Sequence, residues 1–245
     1  MKGPPADWIQ PDWPAPARVR AWVTSRRGGV SQGPWAACNL ATHVGDDPAA
    51  VRRNREILVQ RLRLPGAPAW LEQVHGTRIL ELPAAGGAAD GAWTRRPGQV
   101  CAVLTADCLP VLVCDRAGSR VGLAHAGWRG LAAGVLDALV DAMAPASASE
   151  LLAWLGPAIG PEHFEVGPEV RAAFLARDPG HAPAFRPRGG RWLADLYLLA
   201  RRMLRARGLE VLGGGLCTWS DPARFYSYRR DGVTGRMASL IWLAD

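Results

Sequence analysis

Three short segments put groups able to do chemistry at the ends of apolar runs: Gln73-Val74-His75-Gly76, Ala106-Asp107-Cys108-Leu109-Pro110 and Ala124-His125-Ala126-Gly127-Trp128-Arg129-Gly130. Two imidazoles and a thiol support two chemistries. A Cys-His pair is a nucleophile with its base. A His-Cys-His set with an open fourth position suits a catalytic zinc, whose bound water ionises near neutral pH. Spacing bears on which side chains meet. If residues 109–114 and 120–125 form a hairpin turning between Arg116 and Ala117, Cys108 and His125 stand opposite each other, with Cβ atoms about 4.5–5.5 Å apart. A one-residue slip would send them to opposite faces, and Gly118 permits a longer or bulged turn. Taken singly, each residue has a commoner structural reading, because cysteine is among the most buried residue types and a histidine is often satisfied by a backbone carbonyl. No compact CxxC or HExxH spacing decides between ligand, nucleophile and core.

The elements that must carry these groups follow from periodicity and punctuation. Residues 18–25 alternate polar and apolar as a strand and run into the Gly-rich loop 26–33. Asp47 and Pro48 open a helix that extends to about Arg63, because Asp caps free amides and Pro fits the first turn. Residues 69–74 and 77–82 read as short strands broken by His75-Gly76, and 84–92 as a Gly/Ala-rich loop. The centre is dense in strands at 100–105, 109–114 and 120–125, with a turn at 115–119. Helical spacing covers 130–143 and ends before Pro145. Residues 151–155 form a strand leading into the loop 156–161, while 168–177 and 193–207 are helices, the second stopped by Gly208. Closing strands are expected at 209–212, 225–228 and 236–242. Hairpins and crossovers both occur, no repeat is found, and no polar linker divides the chain. These features predict one domain over residues 1–245, built of mixed-sheet α/β or α+β layers, with 1–17 peripheral.

The chain has 245 residues, 49% hydrophobic and 21% charged, which suffices for a substantial core and excludes a disordered tail or coiled coil. Its longest apolar runs, at 100–104 and 109–114, fall far short of the about 20 residues that span a bilayer. Residues 1–17 lack the basic start and unbroken apolar stretch of a secretory signal. The expectation is a cytoplasmic protein with no membrane contact. The net charge of +7 is nearly all arginine, Lys2 being the only lysine. Those arginines are dispersed rather than gathered on one face with interleaved aromatics, which argues against nucleic acid as a partner. Five cysteines without short regular spacing argue against a disulfide framework and leave the thiols as core residues, ligands or nucleophiles.

The segments HVGDDP, WLEQVHG, TADCLPVLVCD, AHAGWRGLAAGVL, AWLGPAIGPEHFEVG, FYSYRRD and TGRMASLIWL, in this order, resemble the YfiH family. These are the laccase-domain proteins, also called polyphenol oxidase-like or peptidoglycan editing factor and described as purine nucleoside phosphorylases. The resemblance runs from about Val23 to Leu243. It implies a four-layer α/β/β/α sandwich with mixed sheets, similar to the catalytic domain of cytotoxic necrotising factors. It also implies that His75, Cys108 and His125 are the catalytic metal triad, with zinc favoured by tetrahedral N/S ligation and copper an alternative. The toxins use a Cys-His pair to deamidate glutamine, so a cysteine hydrolase remains an alternative.

The activities implied are phosphorolysis of adenosine, inosine and methylthioadenosine, deamination of adenosine and, in some members, phenol oxidation. The partners would be purine nucleosides and phosphate, bound by a monomer or homodimer. A peptidoglycan-precursor hydrolase, releasing a wrong amino acid from a nucleotide-linked muramyl precursor, is a second reading. A binding protein with a structural metal is a third; it would need a fourth protein ligand, for which Cys38, Cys101 and Cys114 are poor candidates. Multicopper laccase chemistry requires more imidazoles than five histidines supply.

Phosphorolysis asks for an anion site. Arg129 stands where a strand becomes a helix, Arg26 precedes the Gly28-Gly29 loop, and Arg229 lies in Tyr228-Arg229-Arg230-Asp231; the family patterns TTRxGGVS, GWRG and FSYRRD raise all three together. Asn39 and His43 are candidates for base or ribose contacts. The family's usual Ser-Leu-Asn-Leu is Ala37-Cys38-Asn39-Leu40 here, which keeps the asparagine and loses the serine. Trp35 and Trp128 are candidates to sandwich a purine, most other tryptophans reading as core. Asp107 either helps move a proton or caps a loop.

Overall fold

Continuous apolar strands in the middle of the chain can be buried only if both their faces are covered, and the architecture covers them with a second sheet on one side and helices on the other. In the computed structural model, which describes residues 3–84 and 87–245, the strands are β1 (Val19–Val23), β2 (Pro68–Ala69), β3 (Ile79–Glu81), β4 (Gly91–Thr94), β5 (Val100–Thr105), β6 (Leu109–Asp115), β7 (Val121–Ala126), β8 (Leu151–Leu155), β9 (Glu165–Val166), β10 (Phe185–Arg188), β11 (Arg191–Ala194), β12 (Glu210–Gly213) and β13 (Met237–Leu243). The helices are α1 (Pro48–Leu62), α2 (Trp128–Ala133), α3 (Val135–Met143), α4 (Pro168–Arg177), α5 (Leu196–Ala206) and α6 (Tyr228–Asp231). A four-stranded sheet runs β1-β13-β5-β2, a six-stranded sheet β12-β8-β6-β7-β4-β3, and a small third sheet β10-β11-β9. The two larger sheets are mixed: β2–β5, β3–β4 and β12–β8 pair in parallel and their other pairs are antiparallel.

The period of two along each strand divides its residues between separate cores. Cys101, Val103, Leu112, Cys114, Leu123 and Ile241 pack between the two large sheets. The other faces of β5 and β13, with Val100, Leu104, Leu240 and Trp242, meet Leu58 of α1. Val111, Val113, Ala124 and Leu155 meet Leu136, Leu139, Leu199 and Met203 of α3 and α5. The layers are therefore α, β, β, α, as the resemblance implies. Near the N-terminus, Trp8 is buried in the α1-side core and Ile9 bonds with Val23 in both directions at 2.8 Å. Among the described residues no helix is long and apolar enough to cross a membrane.

Local chemistry explains where periodicity succeeds and where it misleads. Asp47 caps α1 by accepting from the Ala49 N–H at 2.9 Å, as expected, and Arg63 ends it in a left-handed conformation. The single helix expected at 130–143 is two helices, because Gly134 at φ +103 turns the chain between them. The helix expected from 193 begins at Leu196: Asp195 caps it through the Leu198 N–H, and the residues before it pair with β10. Residues 225–228 are not a strand, since Ser227 accepts from the Arg230 N–H and starts α6. Of the expected strand 69–74 only Ala69 joins a ladder, as part of β2, and Glu72 makes an isolated parallel bridge to Ala88. Of the loop expected at 84–92, residues 85–86 lie outside the described residues and Gly91 and Ala92 belong to β4; Gly91 could not carry a side chain, since a Cβ there would lie 2.5 Å from Ile79 Cδ1 and 2.6 Å from the Leu123 carbonyl.

The β6–β7 hairpin also departs from its expected register. Pro110, not Cys108, pairs with His125, because the turn is longer. Asp115 builds it, accepting from the backbone N–H of Ser119 at 2.6 Å and of Arg120 at 3.1 Å, with Gly118 in the left-handed region. A slip of two preserves the facing of every side chain.

Candidate metal centre

The chain passes from the four-stranded to the six-stranded sheet between β2 and β3 and again between β5 and β6, and the reactive groups stand at these crossings. His75 lies in the first, Cys108 in the second, and His125 near the end of β7. Their ligating atoms all lie within 4.8 Å of one another, with Cys108 Sγ 3.9 Å from His75 Nε2. The histidine rings meet edge to face at 4.8 Å between centroids. His125 is buried, Cys108 half-buried and His75 exposed.

Sharp crossings demand unusual backbone. His75 has φ +61 and Asp107 φ +90, a region that costs a non-glycine residue on the order of 1–2 kcal/mol. A carboxylate supports each. Asp107 accepts from Thr218 Oγ1 and from the Arg229 N–H, both at 2.6 Å, so it caps the first turn of α6 and its oxygens are engaged structurally. Asp90, fully buried, accepts from the N–H groups of Val74, His75 and Gly76 at 3.2, 2.9 and 2.6 Å, and its Oδ1 lies 2.8 Å from His125 Nδ1. Sequence reasoning missed Asp90; the Asp-Gly pair opening β4 is its only trace. Two glycines permit the close approach of segments: a Cβ on Gly127 would sit 2.8 Å from His75 Cδ2 and 3.1 Å from Cys108 Sγ, and one on Gly130 2.8 Å from the Gly76 carbonyl.

The electrostatics favour a thiolate. Burial works to raise the Cys108 pKa, but the charge of His125 and hydrogen bonds to His125 and His75 bring it down to about 6. Burial works against charge on His125, yet the Cys108 thiolate and the Asp90 hydrogen bond raise it to about 9. By contrast, desolvation pushes the Cys38 and Cys114 thiols up to about 12 and raises Cys101 further. The donor set fits a tetrahedral ion. Bond lengths of about 2.0–2.3 Å place the ligands of such a site about 3.3–3.8 Å apart; Cys108 Sγ and His75 Nε2 are at 3.9 Å, and an ion would draw the widest pair, within 4.8 Å, closer. A carboxylate only accepts, so His125 carries its proton on Nδ1 and presents Nε2 to the centre. Among the described residues no fourth side chain joins the group, which leaves a coordination position open.

The triad opens into a cavity of about 520 Å³, the size of a small-ligand site. His43, Arg129 and Arg229 line it as the sequence suggested, and Arg236, Tyr228 and Phe164 line it without having been singled out. Each lining aromatic has a guanidinium over its ring: Arg129 over Trp128 at 4.5 Å, Arg229 over Phe164 at 5.3 Å and Arg236 over Tyr228 at 5.7 Å. Burial and the neighbouring Arg236 and Arg55 hold the His43 pKa below the ordinary histidine value, so its ring is neutral at pH 7.

Arg26, Asn39 and Trp35 do not line the cavity. Arg26 donates to the carbonyls of Ala36 and Pro222. Asn39 is fully buried and bonds to Ala41, Asp46 and the Arg236 N–H, so it supports the chain beside a lining residue. Trp35 donates to the Val44 carbonyl. The remaining histidines are elsewhere: His163 stacks on Trp219 and His181 is buried against Phe174. Among the described residues no second group of three His, Cys, Asp or Glu could ligate a further metal.

Comparison with known proteins places this geometry. Residues 20–244 match the family described as multi-copper polyphenol oxidoreductase laccase. The chain is 57% identical over 242 residues to a purine nucleoside phosphorylase of Pseudomonas aeruginosa, covering 97% of this chain and 99% of the relative. It is 52% identical over 239 residues to the purine nucleoside phosphorylase YfiH of Escherichia coli, covering 96% and 98%. A crystal structure of a Neisseria meningitidis protein superposes with a TM-score of 0.93 at 51% identity, covering 98% of this chain and 100% of that one. YlmD from Geobacillus stearothermophilus superposes with a TM-score of 0.92 at 32% identity, covering 97% and 96%. A full-length sequence match, the same layered fold and a His-Cys-His centre at the sheet crossings together make the chain a member of the YfiH family of laccase-like proteins.

Proposed function

We propose that the chain is a metal-dependent purine nucleoside phosphorylase of the cytoplasm, cleaving adenosine, inosine and S-methyl-5'-thioadenosine with phosphate, with adenosine deamination as a second reaction of the same centre. The observation that carries this reading is a three-ligand centre with an open position facing an arginine-lined cavity of nucleoside size. Sequence identity of 57% and 52% over nearly the whole length of two relatives that bear the name supports it. One thiolate and two imidazoles suit zinc, and the bound ion would supply Lewis-acid polarisation of an oxygen at the open position.

The chain's own residues supply the rest. Arg129, 4.5 Å over the Trp128 ring and without a carboxylate or hydrogen-bond partner among the described residues, is the best placed to receive phosphate, with Arg229 also lining the cavity. Tyr228, 60% exposed, offers a ring face to the purine. The neutral His43 can exchange a hydrogen bond with base or ribose. As the bond from C1' to the purine nitrogen breaks, its electron pair leaves with the base. The cationic sugar carbon is then closed by a phosphate oxygen, and the arginines hold the phosphate's remaining charge.

The test is a nucleoside assay on purified protein of known metal content, with and without phosphate, for wild type, His75→Ala and Cys108→Ala. Free base and ribose 1-phosphate formed only with phosphate, lost in both variants together with stoichiometric zinc, is the expected result. Inert nucleosides alongside release of serine from a muramyl precursor would overturn it, as would a Cys108→Ala protein with full activity and metal.

A further inference from the structure

We propose that Asp90 is the positioning residue of the metal centre, fixing both histidine ligands through one buried carboxylate. The inference rests on the triad holding a metal and is independent of which nucleoside reaction follows. Every polar atom of Asp90 is used on the two ligand segments or on Arg78, the residue before β3. Its N–H donates to the Arg78 carbonyl at 3.0 Å, and its own carbonyl accepts from the His125 N–H at 2.7 Å. Its Oδ1 takes the His75 N–H and the His125 Nδ1–H, and its Oδ2 takes the N–H groups of Val74 and Gly76.

Two consequences follow from this geometry. Three successive N–H groups converge on a carboxylate only when the turn between them is folded inward, which is the conformation that puts His75 at φ +61 and aims its ring at Cys108. The same carboxylate sets the tautomer of His125, leaving the Nε2 lone pair for the ion. Because one carboxylate serves both ligands, the two histidines are set together rather than independently.

Asparagine has the shape of aspartate but one accepting oxygen, so Asp90→Asn must turn an NH2 group toward donors that the carboxylate accepted. Either the His75 turn or the His125 tautomer is then unsupported. The experiment is zinc competition against a chromophoric chelator for wild type, Asp90→Asn and Asp90→Ala, with folding checked by circular dichroism. Nitrogen-15-resolved histidine spectra of the zinc-loaded wild type accompany it.

Zinc affinity about 10–100-fold weaker in folded Asp90→Asn is expected. The wild-type spectra should show His125 protonated at Nδ1 and coordinated through Nε2. A lower thermal midpoint with zinc affinity within about threefold of wild type would mean a merely structural role and would overturn the proposal, as would coordination of His125 through Nδ1. Should Asp90→Ala fail to fold, the asparagine variant and the wild-type spectra still decide. A wild type that binds no zinc would defeat the metal reading itself, which is a different failure from a wild type that binds and a variant that binds equally.

Discussion

Cys108 has a thiol that two imidazoles hold ionised and that remains within reach of solvent, whereas Cys38, Cys101 and Cys114 are buried with raised pKa values. An acid group with a lowered pKa keeps its charged form to lower pH, so metal-free protein should alkylate with iodoacetamide at Cys108 at pH 7. The rate should fall as pH drops through about 6, and the three buried thiols should stay unmodified; peptide mass mapping across pH checks this. A midpoint near that of an ordinary thiol, about 8.5, would show that the histidines do not polarise it. The three residues could be singled out in the sequence because each ends an apolar run, while their joining as a metal triad was what the family resemblance implied. Asp90 was not, because its role depends on N–H groups 14 to 16 residues earlier and a ring 35 residues later, separations that no periodicity records. The same limit applies to the arginines: Arg26 and Arg236 both lie within motif segments, yet Arg26 bonds to loop carbonyls and Arg236 reaches the cavity.

Among the elements, the β7-to-α2 junction and the α2-to-α3 junction each turn on a glycine, for opposite reasons. Gly127 has φ −62 and ψ 155, which any residue adopts, so a side chain there conflicts only with His75 and Cys108. Gly127→Ala should therefore weaken zinc binding by about tenfold, as losing a group that orients a ligand does, and leave the thermal midpoint of the metal-free protein nearly unchanged. Gly134 has φ +103, and alanine there should cost about 1–2 kcal/mol of global stability in urea titrations while zinc affinity holds. Gly134 also explains why 130–143 misled as one helix: apolar spacing continues across the break, and only the backbone reveals it. Strands β5, β6, β7, β8 and β13 were legible because all are buried along their length. Those of the β9, β10 and β11 sheet were missed, because they are short and β10 is mostly exposed.

For the whole molecule, stability rests on the apolar layer between the sheets. Leu112→Ala, at a fully buried position in that layer, should cost about 2–5 kcal/mol, seen as a lower urea midpoint. Two of the three candidate ligands belong to segments that cross that layer, and the third to a strand of the larger sheet. An ion held by all three would thus be a rivet through the two halves of the sandwich as well as a chemical group. Loading should raise the thermal midpoint, by mass action worth about 4 kcal/mol at a thousandfold excess over Kd. Hydrogen exchange would slow most at the crossing amides 74–76 and 106–109, while the strand centres stay protected with or without the ion. Two of the four non-glycine residues with positive φ among the described residues, His75 and Asp107, stand in these crossings, so the mechanical seam of the fold and its candidate reactive centre are the same few residues.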